Sequence, residues 1–302
     1  MNPPQVLMIG CGDIGTRVGR ALAGYGWDVA GMRRNPQGLP TGITPFAGDY
    51  TRADGFAAVS RLRPDYIVFS PLPAGRDVAG YQRGYLEAIH NIADSGVAEY
   101  TKRLIFISST RVYAESAGGW VDENSPLTTS DDAALAIIAA EQAAQQRWAT
   151  TVLRASGIYG DLLGMLLQRV LSEQGSDDLS RWSNRIHRQD LADVATEVLL
   201  RDAARIDVPQ LLIVSDDSPT LLIDVERGLA KSLGKTLKSV ASGRRVRANR
   251  RCSNGVLRAA GFKLNYPTWR DGYCAVLSEL ALQGLYQPDL AALKSSSATG
   301  LE

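Results

Sequence analysis

Gly10-Cys11-Gly12-Asp13-Ile14-Gly15 lies between an apolar run, Val6 to Ile9, and a helical pattern carried by Ile14, Val18 and Leu22. Glycines in this G-x-G-x-x-G spacing can hold a diphosphate. Gly10 permits a tight turn after a strand. Gly12, lacking a Cβ, lets backbone N–H groups approach a pyrophosphate, and Gly15 lets the next helix lie close to a sheet. Asp13 and Ile14 open that helix, whose N-terminus carries partial positive charge toward the phosphates. Eighteen residues past Gly15 stand Arg33 and Arg34. An Asp or Glu at this place would accept hydrogen bonds from a ribose 2′-OH. A guanidinium cannot accept one, but it can grip a 2′-phosphate in bidentate fashion. The expected cofactor is therefore NADP, with NAD second.

Elements in the required order must hold these residues. Apolar, β-branched runs at Val6–Ile9, Trp27–Met32, Ile43–Ala47, Tyr66–Phe69, Leu104–Ser108, Thr151–Arg154 and Gln210–Val214 read as strands. Helical patterns fall near Ile14–Ala23, Ala53–Leu62, Val78–Ser95 and Asp131–Trp148. This alternation predicts an α/β fold: a Rossmann-type doubly wound parallel sheet with a small C-terminal substrate lobe. Residues 1–158 and 186–215 are assigned to the dinucleotide-binding domain, and 159–185 with 216–293 to the lobe. The Gly243–Arg251 stretch reads as a loop between helices, and the apolar-poor tail 294–302 as disordered. Ligands of such sheets lie outside the carboxyl ends of the strands. Asp49 is accordingly either an acceptor for the adenine amino group or a helix N-cap. Ser70 and Pro71 form either a wall near the nicotinamide ribose or a proline-stiffened connection, and Ser108 closes the fifth strand.

Composition narrows the class. A chain of 302 residues with net charge +1 has no global field to attract nucleic acid or an anionic membrane. It has no run of about 18 uninterrupted apolar residues, and its first residues have no signal-type pattern. Three cysteines, Cys11, Cys252 and Cys274, give neither a disulfide framework nor metal-ligand spacing. A cytoplasmic protein with a small-molecule substrate is expected.

The ordered motifs resemble the extended short-chain dehydrogenase/reductase superfamily, which contains the NAD-dependent epimerases and dehydratases of nucleotide sugars. The resemblance covers about residues 5–280. It rests on the glycine loop, Gly48-Asp49, Asn91, and the run Phe106-Ile107-Ser108-Ser109-Thr110-Arg111-Val112-Tyr113. Val121-Asp122-Glu123-Asn124-Ser125-Pro126, Leu153-Arg154-Ala155-Ser156-Gly157-Ile158-Tyr159-Gly160 and Asn184-Arg185-Ile186-His187-Arg188-Gln189-Asp190 extend it. The resemblance implies that Ser109 hydrogen-bonds a substrate hydroxyl, and that a homodimer forms through the Val78–Ser95 and Asp131–Trp148 helices. It also implies a Tyr-x-x-x-Lys pair, whose lysine lowers the phenol pKa so that tyrosinate acts as a base. That pair is missing. Ala133 and Ile137 occupy its places, and no lysine lies between Arg103 and Ala230.

Other residues must then be weighed. Tyr113 is the nearest phenol, set against a packing role. His187 titrates near neutrality and could move protons, set against a structural tie with Asp190. Glu123 is a loop acid facing the expected cleft, or an anchor of that loop. Arg250 belongs to the basic run Arg244–Arg251 and is read either as a clamp on a substrate diphosphate or as part of a solvated loop. Arg181, with Trp182 and Arg185, is assigned to the same cleft. The expected function is an atypical NADP-dependent oxidoreductase or epimerase/dehydratase-like enzyme. The alternative is a noncatalytic NADP-binding protein that reports redox state.

Overall fold

The computed structural model describes residues 3–240 and 249–295. Seven short apolar runs form the main sheet: β1 (Gln5–Ile9), β2 (Asp28–Arg33), β3 (Thr44–Ala47), β4 (Tyr66–Phe69), β5 (Arg103–Ser109), β6 (Thr150–Ala155) and β7 (Leu211–Val214). All pair in parallel, in the order β7-β6-β5-β4-β1-β2-β3. Alternate residues serve opposite cores, as the period of two demands. Val6, Met8, Val68, Ile105 and Leu153 enter one core, while Leu7, Ile9, Ile67, Phe69 and Phe106 enter the other.

Two helical layers cover the sheet. On the first face α1 (Asp13–Gly24) and α4 (Arg188–Ala203) bury Val18, Leu22, Val194 and Val198. On the second face lies helix α2, which is α-helical over Val78–Tyr81, π-helical over Gln82–Glu87 and α-helical again over Ala88–Asp94. Beside it packs α3 (Asp132–Arg147), burying Ile137, Ala140 and Ala144. A third core lies between helix Met165–Leu171, α5 (Leu222–Ser232) and α6 (Trp269–Leu282), and buries Leu167, Val225, Leu229, Trp269 and Leu277. Each buried Val, Leu or Ile among them contributes roughly 1.5–3 kcal/mol relative to exposure.

Three expectations are corrected. The Ala53–Leu62 helix is a short 3₁₀ turn, Ala53–Val59. The chain doubles back so tightly there that a Cβ on Gly55 would lie 1.9 Å from the Asp49 carbonyl oxygen. Arg251–Cys252 is not loop but a strand paired with Trp120–Val121. Lys294 and Ser295, expected in the tail, end a helix that starts at Leu290. The rest of that tail, 296–302, and residues 244–248 of the basic run lie outside the described residues. Among the described residues no helix is long and apolar enough to cross a membrane.

Candidate active site

The glycine loop leaves β1 with Gly10 at φ +75°, and a Cβ there would meet the Ser70 carbonyl oxygen at 2.6 Å. Only glycine suits both the dihedral and the approach. Around Gly12 the space is open, since a Cβ there would have its nearest neighbour, the Gly10 carbonyl oxygen, 3.8 Å away. Helix α1 starts at Asp13, so its first amides have no carbonyl within the helix to bond. The close packing expected of Gly15 is found instead at Gly19, where a Cβ would lie 2.8 Å from Ile43 Cδ1.

Two hollows share Gly10, Gly12, Ser70 and Leu72 and together run across the carboxyl edge of the sheet. The first, about 180 Å³, is lined by Arg33, Arg34, Asp49 and Tyr50. The second, about 450 Å³, is lined by Asp13, Ile14, Pro71, Tyr85, Ser108, Ser109, Ser156, Ile158 and Asp161. The glycine loop thus has one chamber on either side, the shape required for a ligand with a diphosphate at its middle. A larger hollow of about 650 Å³, beside Arg227, Lys231 and Lys235, has neither the glycine loop nor a strand end of the main sheet in its wall.

The two arginines after β2 are not equivalent. Arg33 donates to the carbonyls of Cys11 (3.3 Å), Gln37 (3.2 Å) and Asn35, and so fastens its own loop to the glycine loop. Arg34 is exposed and, among the described residues, has no hydrogen-bond or ion-pair partner. Asp49 is not a helix cap. Its Oδ1 accepts from the Thr51 amide (3.1 Å) and hydroxyl (2.7 Å), closing a local turn.

Tyr50, which pattern reading passed over, lines the first chamber and ties the Gly48-Asp49 turn to the loop after β4. Its hydroxyl accepts from the Leu72 amide at 3.0 Å and donates to the Leu72 carbonyl at 3.4 Å, while Asn91 Nδ2 donates to the Tyr50 carbonyl. An aromatic residue directly after Gly48-Asp49 was the available signal. Tyr85 was missed as well. The π turn puts it in the wall of the second chamber, and Gly84 lets that turn press on the wall loop, since a Cβ would lie 2.3 Å from the Leu72 carbonyl oxygen. Burial raises the Tyr85 phenol pKa and keeps it protonated.

Ser109 ends β5, lines the second chamber, and accepts from the Arg111 amide at 3.2 Å. Beneath it lies a buried charged group. Ser108 Oγ donates to Glu141 Oε1, and Arg154 Nη2 meets Glu141 Oε2 at 2.7 Å. Arg154 Nη1 also donates to the Tyr113 hydroxyl at 3.1 Å. Glu141 and Arg154 are 3% and 5% exposed. Tyr113 therefore has a partner and a packing role below the chamber, and desolvation pushes its phenol up to about 12. At the places of the missing Tyr and Lys, Ala133 and Ile137 are buried.

Several expected site residues take structural posts. His187 caps α4, its Nδ1 accepting from the Gln189 amide at 3.3 Å, with its ring against Tyr266 at 3.9 Å between centroids. Burial, then Arg188 and Arg17, lower its pKa to about 4, so it is neutral, and it is absent from the chamber wall. Asp190 accepts from the amides of Asn265 (2.7 Å) and Tyr266 (3.0 Å). Glu123 accepts from the Ile213 amide at 2.7 Å and so covers the sheet edge at β7. Arg250 is pinned on the carbonyls of Thr110 and Glu115, not open to a substrate diphosphate. Arg181 meets α5 through its carbonyl, which accepts from the Leu222 amide, and it lines neither chamber. Neighbouring Arg185 is buried with Nη1 unpartnered. Among the described residues no cluster could hold a metal ion, and the three cysteines are free.

A glycine-rich turn at the switch point of a seven-stranded parallel sheet defines a dinucleotide-binding protein. The sequence matches the NAD(P)H-binding family over residues 10–202, and the chain belongs to that family. Protein YeeZ of Escherichia coli (strain K12) is 26% identical over 204 residues, covering 65% of this chain and 73% of its own length. A Methylobacillus flagellatus structure, provisionally assigned as an NAD-dependent epimerase/dehydratase, is 29% identical with TM-score 0.77, covering 92% of this chain and 99% of its own. WbmG of Bordetella bronchiseptica, solved with NAD and UDP, shares the fold at 16% identity and TM-score 0.75, over 96% of this chain and 98% of its own.

Proposed function

We propose that this chain is an NADP-dependent oxidoreductase of atypical form, acting on a carbonyl or hydroxyl of a small polar, nucleotide-sugar-like substrate. The observation that carries this reading is Arg34, exposed and, among the described residues, unpaired beside the glycine loop, with no carboxylate at the end of β2. The residues fit the cofactor. Gly12 leaves room for a pyrophosphate, Gly10 makes the turn that presents it, and Arg34 offers a free fork to a 2′-phosphate. A nicotinamide bound there would supply a hydride to a carbonyl or accept one from an alcohol, with the accompanying proton taken from or given to water. Ser109 orients the reacting oxygen by a hydrogen bond, and the Ser108–Glu141–Arg154 group fixes the strand end from which Ser109 projects.

Titration with NADPH and NADH, followed by NADPH consumption over a panel of aldehydes, ketones and nucleotide sugars, tests the reading. The expected outcome is tighter NADPH binding, and turnover that falls roughly 10²–10³-fold in Ser109→Ala. A second reading, a noncatalytic redox reporter, is favoured by the apolar burial of Ala133 and Ile137. It requires NADP⁺ and NADPH to bind with different affinities. Tight NADPH binding with no turnover and unequal affinities would transfer the conclusion to it.

A further inference from the structure

Arg188, the first residue of α4, turns back toward the start of α1. Its Nη1 meets Asp161 Oδ1 and lies 3.6 Å from Asp13 Oδ2, while its Nη2 donates to the Gly160 carbonyl at 2.6 Å. Its side chain is 17% exposed, whereas those of Asp13 and Asp161 are 50% and 69% exposed. Both carboxylates line the second chamber beside Gly12 and Ile14, and the Arg188 guanidinium lies directly behind them rather than in the wall itself. Arg17 holds the other Asp13 oxygen at 3.1 Å and is braced by Gln189 Oε1 at 2.7 Å.

This placement raises an electrostatic problem. A carboxylate one residue past Gly12 would repel a pyrophosphate seated on the first amides of α1. Two guanidinium groups on that one carboxylate remove the repulsion, and one of them can do more. We infer that Arg188 is a ligand for the dinucleotide's pyrophosphate, with Asp13 and Asp161 holding its guanidinium at the positions that phosphate oxygens take over. Asp161 and Gly160 follow Tyr159, outside the glycine-loop unit. Arg188 therefore joins the cofactor to the loop that carries Asp161 in the wall of the second chamber. The assignment rests on the dinucleotide reading above and adds to it a residue the glycine motif does not contain.

Equilibrium binding, measured without any substrate, tests it. NADP⁺ and NADPH are titrated by calorimetry, and 2′-AMP, which lacks a pyrophosphate, by displacement of NADPH. Arg188→Met is expected to weaken NADP⁺ and NADPH roughly 10- to 100-fold, the effect of one charge-assisted hydrogen bond, and to leave 2′-AMP unchanged. Arg188→Lys should fall between the two. Asp161→Asn, an exposed change with little bearing on folding, should tighten NADP⁺ several-fold by releasing the guanidinium. NADP⁺ affinity within twofold of wild type in Arg188→Met would overturn the assignment. So would equal weakening of 2′-AMP, or an Asp161→Asn chain that binds NADP⁺ less tightly. If the wild-type chain bound 2′-AMP and no dinucleotide, or bound neither, the cofactor reading would fall and this assignment with it.

Discussion

Glu141 lies in the middle of an alanine-rich helix, where a glutamate would ordinarily face water, yet it is 3% exposed and bonded to Arg154 and Ser108. Replacing it with Met removes the charge and keeps an unbranched side chain of similar length. Arg154 would then keep only the Tyr113 hydroxyl at 3.1 Å and its ring at 5.0 Å, while remaining 5% exposed. An uncompensated charge of this kind costs about 3–5 kcal/mol. At roughly 2–4 °C per kcal/mol for chains of comparable size, the melting temperature should fall by about 6–20 °C. The double variant Glu141→Met/Arg154→Met removes both charges and should recover most of the loss, because a well-packed apolar pair is often neutral or better than a buried ion pair. Urea unfolding followed by tryptophan fluorescence, with an unchanged m-value, gives the four corners of the cycle. A single-variant loss below about 1 kcal/mol, or additive effects, would refute the claim that the pair is held as a unit.

Three further outcomes follow from the geometry. Gly10→Ala forces a left-handed residue, at about 1–2 kcal/mol, and drives its methyl into Ser70. NADPH affinity should therefore drop well beyond what the urea midpoint explains, and parallel modest changes would count against the cradle. Burial holds the Asp216 carboxyl at about 8, above the ordinary carboxylate range, so the folded chain keeps a proton that the unfolded chain has lost. Stability from this group is present below about pH 4 and is lost as pH rises through 8. Asp216→Asn should remove that fall, and an unchanged profile between pH 5 and 9 would contradict it. His187 runs the other way: with its pKa near 4, stability is lost as pH falls from about 6.5 through 4. His187→Asn, which can still cap the helix, should show a shallower acid limb in urea titrations.

Much of the fold could be read from pattern, because parallel strands buried on both faces are continuous apolar runs. The seven runs lie within about two residues of the observed strands, and the glycine loop, Arg34, Ser70 and Ser109 fall where their strand ends put them. What stayed hidden depends on contacts far apart in sequence. Arg250 reaches Thr110 across 140 residues, and Arg17 reaches Gln189 across 172. Nothing local distinguishes a pinned arginine from a free one. The same limit applies to Tyr113 and His187, whose residue types suit proton transfer but whose surroundings hold one phenol protonated and one imidazole neutral. The π turn of α2 leaves no periodic mark strong enough to predict, so Tyr85 escaped notice.

Whether Arg34 reads a 2′-phosphate decides the cofactor and, with it, the proposed function. The ratio of NADPH to NADH dissociation constants, measured in wild type and in Arg34→Ala, tests it without any substrate. Wild type should favour NADPH, and the variant should lose roughly 10- to 100-fold in NADPH affinity while NADH changes by less than about twofold. Arg33→Ala should weaken both dinucleotides together, because Arg33 fastens the loop to Cys11. An unchanged ratio in Arg34→Ala, or a wild-type preference for NADH, would contradict the assignment.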